Sequence, residues 1–163
     1  MIATSALAMF FLMYAHSYSV LEHAWFSETR LYMTLLMAAA MMAIMLAFMI
    51  GMYKDRTANL SIFVGAGLLL VTSILLVRSQ ITVDDVDFME GMIPHHSIAI
   101  LTSTRAQISD PRVQELAEEI IKAQRREIRE MEWLIRDIRA NGVAATQGEA
   151  DARRVPSFSG TPD

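Results

Sequence analysis

The chain has no cysteine among its 163 residues, which removes disulfides, thiolate metal sites and cysteine nucleophiles together. Soft-metal chemistry is therefore left to methionine, of which there are 13. Charge is nearly missing from the first half: up to Val77 the only charged side chains are Glu22, Glu28, Arg30, Lys54, Asp55 and Arg56. Those six cancel, so the whole net charge of −4 lies beyond them. No basic run follows that could track a phosphate backbone, and nucleic acid is excluded as a partner. Also missing are a phosphate loop, a paired-carboxylate site, a Ser-His-Asp set at usable spacing and any Glu-x-x-His repeat of the di-metal oxidases. The chain reads as a protein that is not an enzyme.

Hydrophobic residues make up 53% of the chain, above the level of ordinary soluble proteins. They concentrate in three uncharged runs, expected as membrane spans at residues 2–21, 31–53 and 60–77 of a membrane region covering 1–78. The first could instead be a signal peptide, but it has neither a basic start nor a small-x-small cleavage site. Lys54 and Arg56 lie in the turn between the second and third runs, and basic residues are retained on the cytoplasmic side. This orientation makes an integral protein of the inner, cytoplasmic membrane, with lipid as partner and the C-terminal region delivered to the extracytoplasmic or periplasmic side.

Ten of the methionines fall in the first 52 residues. Met33, Met37, Met41, Met45 and Met49 recur every fourth residue, one slowly rotating helix ridge. Filling irregular gaps between helices is the favoured reading; a thioether track for a soft metal is the other. His16 and His23, seven apart, read mainly as interfacial polar groups.

In the second half, "ITVDDVDF" supplies a helix start, with Thr82 as cap, Asp85 completing an acidic capping box, and Asp84 and Asp87 suited to the helix dipole. Asp110-Pro111 opens a second helix, whose broad apolar face runs from Val113 to Ile138 before Asn141-Gly142 ends it. This is an all-α antiparallel hairpin at residues 82–141, followed by a tail at 142–163 expected to be disordered. A hairpin so small buries little apolar surface alone. It is expected to pair with a second copy as a homo-oligomer, making a four-helix bundle.

The stretch "DFMEGMIPHHSIAI" sets Met89, Met92 and His96 on one helix face at i, i+3 and i+7, with His95 rotated by about 100°. On the partner helix Gln124, Glu127 and Met131 repeat that spacing. Two facing triplets can surround one ion; imidazole with thioether favours copper, Cu(I) above all, and imidazole with carboxylate suits zinc, iron or Cu(II). Asp87 stands as a further oxygen ligand. Pro94 deprives the Glu90 carbonyl of its helical donor, and that carbonyl is expected to anchor one imidazole through its second nitrogen.

At these residues the chain resembles the domain-of-unknown-function 305 family, whose pattern runs D-x-x-F-x-x-x-M-x-x-H-H and then A-x-x-I-x-x-x-Q-x-x-E-I-x-x-M. The matches are Asp85 or Asp87 with Phe88, Met92, His95, His96 and Ala99, then Ala117, Ile120 or Ile121, Gln124, Glu127, Ile128 and Met131. The polytopic front half is similar to the membrane-anchored branch. The resemblance implies a ferritin-like helical bundle associated with copper binding and tolerance. It nominates Met92, His95, His96 and Met131 as ligands, with Gln124 and Glu127 beside them. Many members keep another methionine near the position of Thr102; its absence here leaves a smaller, histidine-led site.

Two functions are thus expected of the chain. One is a membrane-anchored metal-binding protein, for copper sequestration or handling outside the cytoplasm, with an unknown metal-handling protein as partner. The other is a structural or oligomerisation module without metal.

Overall fold

The computed structural model describes residues 2–13 and 27–158. Among them are six helices and no strand: α1 (Ile2–Leu12), α2 (Glu28–Met49), α3 (Arg56–Ser79), α4 (Asp85–Arg105), α5 (Pro111–Asn141) and α6 (Gln147–Ala152). They fall into two compact units, α1 to α3 and α4 to α6.

In the first unit, α2 and α3 are long and apolar enough to cross a membrane. Their 22 and 24 residues reach about 33 and 36 Å at about 1.5 Å per residue, against a hydrocarbon core of about 30 Å. Only 22% and 11% of their most apolar windows are buried, so most of that surface faces outward, unlike the core helix of a soluble protein. Both start earlier than the uncharged runs, because polar residues cap them. Ser27 accepts from the Arg30 amide and Asp55 from the Ala58 amide at 3.0 Å. Of the expected first span, α1 covers Ile2–Leu12, 11 residues that reach about 16 Å. Residues 14–21 of that span lie outside the described residues, as do His16 and His23.

Small and polar residues seam this unit. Asn59, Ala66 and Ser73, the buried positions of α3, recur every seventh residue, the period of a helix pair crossing at a shallow angle. On α2, Ala38 and Ala39 are buried as well. Side chains this small let the helix backbones approach closely. Arg30, also buried, donates to the Met13 carbonyl at 3.0 Å, placing a cation beyond the carbonyl end of α1.

The second unit is a hairpin. Its start is corrected by two residues: Asp84, not Thr82, is the N-cap of α4, and it forms a reciprocal capping box with Asp87. Thr82 instead shares a 2.8 Å hydrogen bond with the Tyr32 hydroxyl. Asp110 caps α5, Pro111 occupies its first turn and Gly142, at φ 79°, ends it. The cross-helix pairs His96–Glu127 and Glu90–Arg139 have indices that run in opposite directions, so the helices are antiparallel. Met89, Ile93 and Ile100 of α4 pack with Ile128 and Ile135 of α5. Pro94 sits inside α4 without ending it. Its ring is fully buried, and that burial offsets part of the roughly 3 kcal/mol a helix-interior proline costs.

The hairpin consists of two long helices, and Val113 and Leu116 on α5 stay exposed. The tail also differs from expectation. Thr146 caps α6, and Arg153 reaches back to Asp137 at 2.8 Å and to the Gly142 carbonyl at 3.2 Å. A long-range staple of that kind leaves no periodicity in the sequence.

Ile93→Ala is expected to cost about 2–5 kcal/mol, read as a lowered thermal midpoint of the full chain in detergent. Glu90 is nearly buried while Arg139 is half exposed. Arg139→Ala therefore strands a carboxylate and costs about 1–3 kcal/mol, and adding Glu90→Gln recovers part of the loss.

Helix-end amides also set an acid limit. The Asp87 amide holds Asp84 below its ordinary value of 3.8, and the Arg112 guanidinium does the same for Asp110. Both are depressed in the folded state, so their stabilisation is complete above that value and is lost as pH falls below it. Thermal midpoints should stay level above about pH 4 and fall beneath it, less steeply in an Asp84→Asn/Asp110→Asn variant.

Candidate metal centre

His96 lies one turn beyond Met92 on α4, and both of its ring nitrogens are engaged. Nδ1 is 2.9 Å from the Met92 carbonyl and Nε2 is 2.9 Å from Glu127 Oε2 on α5. A carbonyl only accepts, so Nδ1 carries the hydrogen and donates it. Loss of the Nε2 hydrogen would turn that nitrogen's lone pair toward Glu127, which is the tautomer and aim a metal-ligating histidine needs. Without a cation the 2.9 Å contact needs one shared proton, on the imidazole or on the carboxyl. The anchoring carbonyl is Met92, not the Glu90 carbonyl that Pro94 frees, because a ring on a helix most easily reaches the carbonyl four residues back.

The histidine side chain is 13% exposed and the glutamate 37%. The other glutamate oxygen lies 3.8 Å from Arg126, which also approaches Glu130 at 3.6 Å along the helix. His95 is exposed, its ring edge-on to His96 with centroids 6.3 Å apart.

The remaining expected ligands are distributed otherwise. Met89 is buried in the hydrophobic core and Met131 packs against it, so both thioethers sit among isoleucines. The Met92 side chain and Gln124 are half-buried, and the contact Met92 makes with His96 is through its carbonyl. The Asp87 carboxylate is used in the α4 capping box. Among the described residues no three histidine, aspartate or glutamate side chains converge on one point. The pair that does converge supplies one nitrogen and one oxygen. That donor set fits a borderline cation such as Cu(II) or zinc better than Cu(I). It is also two donors short of a closed four-coordinate site.

The Glu90–Arg139 ion pair was not legible beforehand, since Glu90 reads as one more helix acid. Its one signal is its place one residue after Met89, on the edge of the core face.

Comparison with known proteins finds a match over the residues of the hairpin. Residues 85–160 match the family described as Domain of unknown function (DUF305). The chain is also 38% identical over 69 residues to "Uncharacterized protein L153" of Acanthamoeba polyphaga mimivirus, an alignment covering 41% of this chain and 45% of the relative. The chain thus spans about half the length of that relative. No solved structure matches.

His96→Ala is expected to remove the cross-helix contact and leave Glu127 facing water and Arg126. Because that carboxylate is partly exposed, the thermal midpoint should fall only slightly, by the equivalent of about 1 kcal/mol.

Proposed function

We propose that the chain is a membrane-anchored metal-binding protein whose hairpin holds a copper ion for sequestration or handling outside the cytoplasm. One observation carries this reading: His96 is pinned through Nδ1 to the Met92 carbonyl while Nε2 meets the Glu127 carboxylate across the hairpin. A cation taken there would replace the shared proton, held by His96 and Glu127 and accompanied by the exposed His95. Imidazole with carboxylate favours the Cu(II) form. A second hairpin in a homo-oligomer would complete the coordination, which two donors leave open. The two cations of the α2–α3 turn support an extracytoplasmic hairpin, since such residues are retained inside.

A structural module without metal is the second reading. It is favoured by the directness of the His96–Glu127 contact, which satisfies both groups with no ion.

Titration of the full chain in detergent with Cu(II), Cu(I) and zinc separates the two. Copper handling predicts saturable binding that weakens at least about tenfold in His96→Ala and in Glu127→Gln, together with a higher thermal midpoint at saturating copper. Equal affinity in wild type and both variants sinks the metal assignment, and an unmoved midpoint supports the structural module.

A further inference from the structure

The turn joining α2 to α3 carries two cavities that share one polar mouth. A cavity of about 580 Å³ is lined by Met42, Met45, Met49 and Met52, and a second of about 560 Å³ by Ile50, Leu60 and Phe63. Tyr53, Lys54 and Asn59 line both. Each volume is within the roughly 300–1,000 Å³ that holds a small-molecule-sized apolar body. The methionines of the first cavity are spaced 3, 4 and 3 along the chain: Met45 and Met49 belong to the every-fourth-residue ridge, and Met42 and Met52 flank it. Flexible thioethers at that spacing form an adaptable apolar wall.

The mouth is cationic. Lys54 and Arg56 are exposed, and among the described residues neither ends in an ion pair. Asp55, between them, has its carboxylate committed to the Ala58 amide at 3.0 Å. With Asp55 counted, the turn has one net positive charge. Asn59 donates to the Tyr53 carbonyl at 2.9 Å and holds the turn in shape. Tyr53 is half exposed there, an aromatic of the kind that sits at headgroup level.

The geometry points to a site for one anionic diacyl phospholipid. Its phosphate is held between Lys54 and Arg56, and one acyl chain enters each cavity. An apolar cavity and a more open, partly polar one that meet at a cationic mouth match two tails joined at one phosphodiester, in both number and charge. A neutral phospholipid would fill the cavities without pairing the cations, and a free phosphate would pair the cations without filling the cavities. This inference rests on the membrane-anchored reading of α2 and α3 and is independent of the metal.

The test uses the full chain. Flotation with vesicles of pure phosphatidylcholine first asks whether it is anchored, and failure to float would overturn both the anchoring and this site. Native mass spectrometry of the purified chain, offered equal dioleoyl phosphatidylglycerol and dioleoyl phosphatidylcholine, then reads selectivity. The expected result is a one-lipid adduct dominated by phosphatidylglycerol. The preference should fall about fivefold for each cation removed in Lys54→Gln and Arg56→Gln, be retained in Lys54→Arg, and survive excess inorganic phosphate. Floating protein that retains both lipids equally, or a preference unchanged in the double variant, overturns the lipid site alone. Displacement by inorganic phosphate would also overturn it, showing a phosphate site without chains.

Discussion

The helical hairpin depends on a rotational lock between its two long helices. Ile93 and Ile100 on α4 are seven residues apart, as are Ile128 and Ile135 on α5, and all four are buried in one cluster. That period keeps a single face of each helix toward the other. Everything polar between the helices inherits its position from this contact. With the isoleucines inward, His96 falls at the rim, where its ring can cross to Glu127, and Glu90 falls on the other edge, within reach of Arg139. Turning either helix by one residue, about 100°, would separate both pairs.

Much of this was legible in the sequence where the signal is local. Asp110-Pro111 and Asn141-Gly142 mark the ends of α5 because caps are set by residues within one turn. The apolar runs mark α2 and α3, while the polar turns at their starts hid the first few residues of each helix. The cap of α4 was misplaced because three candidates, Thr82, Asp84 and Asp85, compete within four residues, and the choice depends on Tyr32 engaging Thr82 from far along the chain. The spacing placed His96 and Glu127 on facing helices but could not say which groups would touch. It weighted methionine sulfur, whereas packing draws Met89 and Met131 toward the core and leaves the Met92 carbonyl as the anchor. The ordering of α6 was invisible for the same reason, since the Arg153–Asp137 pair is tertiary.

The two units solve opposite problems of polar satisfaction. In the hairpin, polar side chains can ring the core because water reaches the rim. In the apolar unit the few polar groups turn back on the backbone: Thr34 to the Arg30 carbonyl, Ser61 to the Thr57 carbonyl and Asn59 to the Tyr53 carbonyl. Such internal closure satisfies polar side chains on apolar helices with the nearest available backbone acceptor.

The end of α3 has one further consequence. Gln80 is the one non-glycine residue with positive φ among the described residues. Its side chain donates to the Val77 carbonyl and accepts from Thr29 at the start of α2. Only Ile81, Thr82 and Val83 then separate it from the Asp84 cap, a tether of at most about 14 Å. The chain therefore passes from one compact unit to the next within three residues, and each end of that passage is fixed by its own helix cap.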